Sequence, residues 1–237
     1  MITEELKERV RSAEHLVVLT GAGISAESSI PTFRGKEGYW KKHSPAELAT
    51  RESFRKDPEL VWEWYNHRRR LIGGATPNKG HLALVSLEKA VKRFTLITQN
   101  VDNLHQLAGN SQVVELHGNI FINRCIGCPK TEYVDPQAPL PHLPRCTCGA
   151  LFRPGVVWFG ESLPQEAISI ALAAAASADL FLSVGTSAQV HPAASLPQLA
   201  AQHNALVVEI NPQLTPVSHL AAEIYTESAA KTLSPLA

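Results

Sequence analysis

Five short runs of nearly continuous apolar residues punctuate the chain: HLVVLT (15–20), RFTLITQ (93–99), QVVELH (112–117), DLFLSVG (179–185) and ALVVEI (205–210). Strands covered by helices on both faces read this way, whereas a half-exposed sheet alternates between apolar and polar positions. Helical segments separate the runs. The pattern therefore predicts an α/β protein with a mostly parallel sheet. The opening MITEELKERVRSAEH is a mixed-charge amphipathic helix without the apolar stretch of a signal peptide. The most apolar long stretch, AISIALAAAASADLFLSVG, is rich in alanine and broken by Asp179. It reads as a helix followed by a buried strand, not as a membrane span.

Two regions break the alternation, 36 to about 80 and 121–154, and both read as excursions from the sheet into a smaller lobe. The first contains DPELVWEWYNHRRRLIGG (57–74). Asp57 suits an N-cap, Pro58 suits the first helical position, and Gly73 can end the helix in a left-handed conformation. Its apolar stripe runs through Val61, Trp64, Tyr65, position 68, Leu71 and Ile72. Position 68 is Arg68, a guanidinium on the face that should be buried. Arg69 and Arg70 are expected on the solvated side.

At 237 residues the chain suits one large domain, or one domain with a smaller insert. Its 44% hydrophobic and 19% charged residues are those of an ordinary globular protein. With a formal net charge of zero, no whole-chain attraction to nucleic acid or an anionic membrane is expected. The lack of an export signal points to the cytosol. In that reducing setting the four cysteines, all between 125 and 148, suggest a metal rather than disulfides.

Candidate chemistry falls at the strand ends. VVLTGAGISAESSIPTFRG places Gly21, Gly23 and Ala26 between a strand and an expected helix, matching G-x-G-x-x-A. Such a loop lets backbone amides approach a pyrophosphate, though a tight turn without a ligand reads the same. The acidic residue that usually follows a second strand in dehydrogenases is missing, so any dinucleotide site is of a different kind. CIGC and CTC bring Cys125, Cys128, Cys146 and Cys148, with 17 residues between the pairs. Four thiolates so spaced satisfy tetrahedral structural zinc; the alternative is four buried thiols. TQNVDNLH sets Gln99, Asn100 and Asp102 after one strand, and ELHGN sets His117 after the next. Ligands of parallel sheets bind outside these carboxyl ends. A histidine there can be a general base, or a satisfied structural residue. GTSAQVHP (185–192) and INPQ (210–213) add groups suited to ribose and adenine.

Together GAGISAESSIPTFRG, TQNVDNLH, ELHGN, the four cysteines, RPGVVWFGE, VGTSAQVHPA and INPQ resemble the sirtuins, the NAD-dependent protein-lysine deacylases. The matches run in family order from residue 20 to about 213. The resemblance implies a Rossmann-like domain (1–35, 81–120 and 155–237) and a smaller lobe made of a helical module (36–80) and a zinc ribbon (121–154), with NAD between them and one structural zinc. It implies that Gly21, Ala22, Gly23, Ser25, Phe33 and Arg34 form the loop over the nicotinamide ribose and phosphates. Gln99, Asn100 and Asp102 would line the nicotinamide and ribose pocket. Gly185, Thr186, Ser187, Asn211, Pro212, Gln213 and Ala229 would hold the adenosine half. His117, with Asn100 and Asp102, would be catalytic: the acyl oxygen attacks the nicotinamide ribose, nicotinamide leaves, and His117 takes a proton from the ribose hydroxyls. The products would be free lysine, nicotinamide and O-acyl-ADP-ribose. VVWFGE and SAQV, through Val157, Phe159, Gly160, Glu161 and Val190, would flank an acylated protein segment that adds as a strand.

Sirtuins that remove negatively charged acyl groups carry Tyr-x-x-Arg in this helix. YNHR supplies Tyr65 and Arg68 at i and i+3, on one face. The resemblance then implies a guanidinium pairing two-pronged with a distal carboxylate, as in succinyl- or malonyl-lysine. Against it stands pairing of Arg68 with Glu63 or Glu47, or snorkelling along its stem. Two other functions stay open: mono-ADP-ribosyl transfer on the same fold, and a nonenzymatic NAD- or zinc-binding module.

Overall fold

The computed structural model describes residues 2–33, 44–139 and 141–237. Arg34 therefore lies outside the described residues. The chain runs α1 (Glu4–Ser12), β1 (Leu16–Thr20), a 3-10 helix (Ala22–Ser28), α2 (Pro45–Leu48), α3 (Arg51–Lys56), α4 (Pro58–Gly73), α5 (Lys79–Ala90) and β2 (Phe94–Thr98). It continues through α6 (Leu104–Ala108), β3 (Val113–Glu115), β4 (Gly118–Cys125), β5 (Thr131–Tyr133) and β6 (Phe152–Val156). The last part holds α7 (Gln165–Ser177), β7 (Leu180–Val184), α8 (Leu196–Gln202), β8 (Leu206–Ile210), β9 (Glu223–Tyr225) and α9 (Ala229–Leu233).

The main sheet is parallel throughout, in the order β3-β2-β1-β7-β8-β9. Its first five strands fall inside the five apolar runs. Alternate residues of β1 serve opposite faces. Leu16 and Val18 join the core under α1, α5 and α9; Val17 and Leu19 join the core under α7 and α8. Small side chains at Ala171, Ala174 and Ala175 let α7 lie close on that second face. Strand order reverses between β1 and β7, which opens a crevice at their carboxyl ends. The sixth strand, β9, has three residues, none fully buried, and no apolar run marked it.

A second sheet, β5-β4-β6, is antiparallel. Its core is shared with α4: Trp62, Trp64, Tyr65 and Ile72 pack with Phe121, Phe152, Val156 and Trp158. Both excursions thus meet in one apolar cluster.

Three local expectations are corrected. The helix expected after Gly21, Gly23 and Ala26 instead includes the last two: Ala22–Ser28 is a seven-residue 3-10 helix that ends at Ser29 in a left-handed conformation (φ 62°). Helix α4 is capped by Asp57 as expected, its carboxylate accepting from Leu60 N–H. Gly73, however, remains helical and the following Gly74 has φ −89°, so no left-handed glycine ends it. Arg69 is not solvated. It is 1% exposed, with its Nε donating to the Ile120 carbonyl (2.6 Å) and its Nη2 to Asn123 Oδ1 (2.8 Å). The guanidinium lies 5.0 Å from the Trp62 ring centre. Helical spacing alone could not see that β4 supplies acceptors on that side. Arg70 is exposed, as expected.

Candidate active site

The crevice at the switch point widens into a cavity of about 590 Å³ bounded by both sheets and α4. The β1 and β7 loops meet at its floor. A Cβ on Gly21 or Gly23 would fall 2.8 or 2.6 Å from backbone atoms of Gly185 or Thr186, and the Gly23 N–H donates to the Gly185 carbonyl (2.8 Å). These glycines are required for the two loops to touch, as well as for backbone to face the cavity.

The polar residues after β2 are pinned one by one. Gln99 Nε2 donates to Thr186 Oγ1 (2.8 Å), tying the β2 and β7 loops together. Asn100 donates its backbone N–H to Thr98 Oγ1 (3.0 Å) and its amide N–H groups to the Gly21 carbonyl (3.1 Å) and Ser25 Oγ (3.2 Å). Its amide oxygen is the group left to face the cavity. Ser25 donates to the Asp102 carboxylate (2.7 Å), which also accepts from Leu104 N–H (3.0 Å). Burial raises the Asp102 pKa, while these bonds and the Arg68 charge favour the ionised form.

His117 stands on the cavity wall. Its Nδ1 lies 2.9 Å from the Gln99 carbonyl oxygen. A carbonyl only accepts, so Nδ1 carries the proton and Nε2 presents a lone pair. Burial lowers the pKa, partly offset by that hydrogen bond. A neutral ring with an exposed lone pair is the form a general base needs.

Gly21, Ala22, Gly23, Phe33, Gln99, Asn100, His117, Gly185, Thr186, Ser187, Asn211, Pro212, Gln213 and Ala229 all line the cavity. Ser25 and Asp102 do not; they sit buried behind Asn100. Tyr65, Arg68, Val157, Phe159, Gly160, Glu161 and Val190 line the same cavity. Tyr65 and Arg68 are 2% and 4% exposed, and the Arg68 guanidinium lies over the Phe33 and the Trp64 ring, 4.8 and 4.9 Å from their centres. Flat guanidinium against aromatic faces is a favourable way to hold a desolvated charge. Glu63 is exposed.

The Glu161 carboxylate is already engaged, by Arg153 (2.6 and 3.1 Å), Arg51 (2.5 Å) and the Trp158 N–H (2.9 Å). Burial alone would raise its pKa, but these bonds bring it to about 2. The Phe159 N–H donates to the Ala49 carbonyl, joining this segment to the small lobe.

Several residues of the site were not anticipated. Trp158, Glu27, Thr32 and Leu214 also line the cavity. Trp158 was visible within VVWFGE, but the expected edge named only Val157, Phe159, Gly160 and Glu161 there. Behind the wall, His81 and His105 lie with ring centres 5.0 Å apart, and burial takes them down to about 4 and about 3. His105 Nε2 is 2.9 Å from Thr20 Oγ1, which is 2.8 Å from Thr98 Oγ1.

The four cysteine sulfurs lie within 4.8 Å of one another, with Cys125–Cys148 at 3.5 Å and Cys128–Cys146 at 3.7 Å. Tetrahedral zinc with Zn–S bonds of about 2.3 Å requires S–S separations of about 3.8 Å. The donor set therefore fits a closed zinc site, and the C-x-C pair participates with the other.

Comparison with known proteins agrees with this geometry. The Sir2 family pattern matches residues 21–192. The chain belongs to the Sir2 family. An NAD-dependent protein deacylase of Aquifex aeolicus is 52% identical over 221 residues, covering 92% of each chain. A crystal structure of a Sir2 homologue–NAD complex superimposes with a TM-score of 0.93 at 44% identity, covering 100% of this chain and 93% of that one. A Sir2 complex with p53 peptide and NAD⁺ gives a TM-score of 0.89 at 32% identity, covering 100% and 97%. The Sir2 fold accounts for the parallel six-stranded sheet, the second small sheet and the cysteine cluster together. Among the described residues, no helix is long and apolar enough to cross a membrane.

Proposed function

We propose that this NAD-dependent protein deacylase of the Sir2 family removes negatively charged acyl groups such as succinyl and malonyl from lysine, alongside acetyl. The observation that carries the reading is the buried Tyr65–Arg68 pair on the cavity wall. A guanidinium held against aromatic rings can pair with a distal carboxylate, and charge-assisted bonds of this kind are among the stronger ones.

NAD supplies the ribose carbon to which the acyl oxygen transfers as nicotinamide departs. The chain's own residues do the rest. Gln99, Asn100 and Asp102 shape the nicotinamide and ribose pocket, Asn100 through its amide oxygen and Asp102 by holding Ser25 and the α6 turn. His117 takes a proton at Nε2 from a ribose hydroxyl, while its Nδ1–H stays on the Gln99 carbonyl and fixes the ring. The glycine loop with Ala22 and Phe33 covers the phosphates and nicotinamide ribose, while Ser25 holds Asn100 and Asp102 from behind. Thr186, Ser187, Asn211, Pro212, Gln213 and Ala229 receive the adenosine half. A substrate segment enters as a strand between 157–161 and 187–190, and a Sir2 relative has been solved with a p53 peptide and NAD⁺. Because the Glu161 carboxylate is engaged by arginines, recognition there relies on main chain and tolerates many sequences. We assign 1–35, 81–120 and 155–237 to the Rossmann-like part and 36–80 and 121–154 to the zinc-bearing lobe, with β4 and β6 running across the boundary.

Mass spectrometry of products from acetyl- and succinyl-peptides with NAD tests the reaction. O-acyl-ADP-ribose from both supports it. An ADP-ribosylated peptide would instead assign mono-ADP-ribosyl transfer, and a lack of product would leave a binding module.

A further inference from the structure

Trp158 belongs to the second core and is 2% exposed, yet the residue also lines the cavity. Its Nε1–H donates to the Tyr65 hydroxyl oxygen at 2.9 Å. An indole N–H can only donate. One acceptor position of the phenol oxygen is therefore filled from behind, and the phenol's own proton is left to bond elsewhere. Tyr65 itself lines the cavity, beside Arg68.

The indole is firmly held. Arg153 stacks over it at 3.4 Å from the ring centre, Phe54 packs at 5.3 Å, and the Trp158 backbone N–H donates to the Glu161 carboxylate (2.9 Å). Arg153 is fixed in turn by Glu161 and by the Val156 carbonyl (2.7 Å). A chain of contacts thus runs from the Glu161–Arg153 ion pair through Trp158 to the Tyr65 hydroxyl.

We infer that Trp158 is a specificity-determining positioning residue, which commits the Tyr65 hydroxyl to act as a hydrogen-bond donor toward the end of the acyl chain. A donor beside a guanidinium selects an acyl terminus that only accepts, which is a carboxylate. Burial raises the Tyr65 pKa, so the phenol keeps its proton through the neutral range. The inference rests on the charged-acyl reading above and adds to it the residue that sets Tyr65's polarity.

The test is a double-mutant cycle on succinyl-lysine and the uncharged butyryl-lysine of similar length, in one peptide. Trp158→Phe removes the N–H and keeps a ring for Arg153. Tyr65→Phe removes the acceptor. We expect each single change to lower the succinyl-to-butyryl ratio of kcat/KM by about 3- to 10-fold, mostly through KM. The double variant should lie within about 2-fold of Tyr65→Phe alone. An unchanged ratio in Trp158→Phe, or a double effect equal to the product of the singles, would overturn the inference. Should Trp158→Phe melt early, the benzothienyl analogue of tryptophan, with sulfur in place of N–H, answers the same question. Wild-type selectivity and Arg68→Met separate the two levels. If the wild type does not prefer succinyl, the charged-acyl reading fails and this inference with it. If the preference exists and depends on Arg68 but the cycle is multiplicative, only the role of Trp158 fails.

Discussion

His117 illustrates how a single side chain acquires a chemical role from its setting. One nitrogen is committed to the Gln99 carbonyl, and burial disfavours the charged ring. His117→Ala should lower deacylation by about 100- to 10,000-fold, the usual value of a general base, with NAD binding and thermal stability retained. Near-normal turnover in steady-state assays would remove the assignment. The sequence placed His117, Asn100 and Gln99 at strand ends correctly, because strand ends are what apolar runs reveal. It did not separate Ser25 and Asp102 from the cavity-facing residues. That distinction depends on which side chain turns inward after the strand, and spacing carries no record of it.

At the scale of elements, α4 shows where a helical pattern succeeds and where it fails. The stripe placed Tyr65 and Arg68 on an inward face, and the helix spans nearly the expected residues. Arg69 escaped because its burial depends on the Ile120 and Ile122 carbonyls and Asn123 of β4, which are more than 50 positions away. Arg69→Met should destabilise the protein by roughly 3–5 kcal/mol, since it leaves buried acceptors without their donor. Selectivity between acyl groups should stay unchanged. Denaturant melts and the acyl ratio check both halves. For the second sheet, one zinc per chain is expected by elemental analysis, and Cys125→Ser or Cys128→Ser should release it and loosen the small lobe. Active, stable protein without metal would defeat this reading.

For the whole molecule, parallel-sheet architecture was legible because strands buried on both sides announce themselves. The short edge strand β9 was not, having little apolar content to reveal. The buried histidines give the fold a pH signature. His81 and His105 are held neutral by burial, at about 4 and about 3, whereas in the unfolded chain they titrate near 6.5. The unfolded state therefore binds more protons between these values, and stability rises with pH across that window. Stability should be fully present above about pH 6.5 and fall as pH drops toward 4, at up to about 1.4 kcal/mol per pH unit for each histidine. Urea melts at a series of pH values should show this slope, and His105→Gln should reduce it. A flat profile between pH 6.5 and 4 would contradict it. Glu161, lowered from 4.5 to about 2, adds a further loss that begins below about pH 4.5.

The central claim is that a buried guanidinium makes this Sir2-family enzyme prefer charged acyl groups. The most direct measurement is kcat/KM of Arg68→Met and wild type on succinyl- and acetyl-lysine in one peptide. Methionine keeps bulk and removes charge. Hydrogen bonds to charged groups contribute roughly 1.5–3 kcal/mol, so succinyl turnover should fall on the order of 10- to 100-fold. Acetyl is too short to reach the guanidinium, and its rate should change little or rise as the pocket becomes more apolar. An equal loss for both substrates would contradict the account and leave Arg68 as a structural residue.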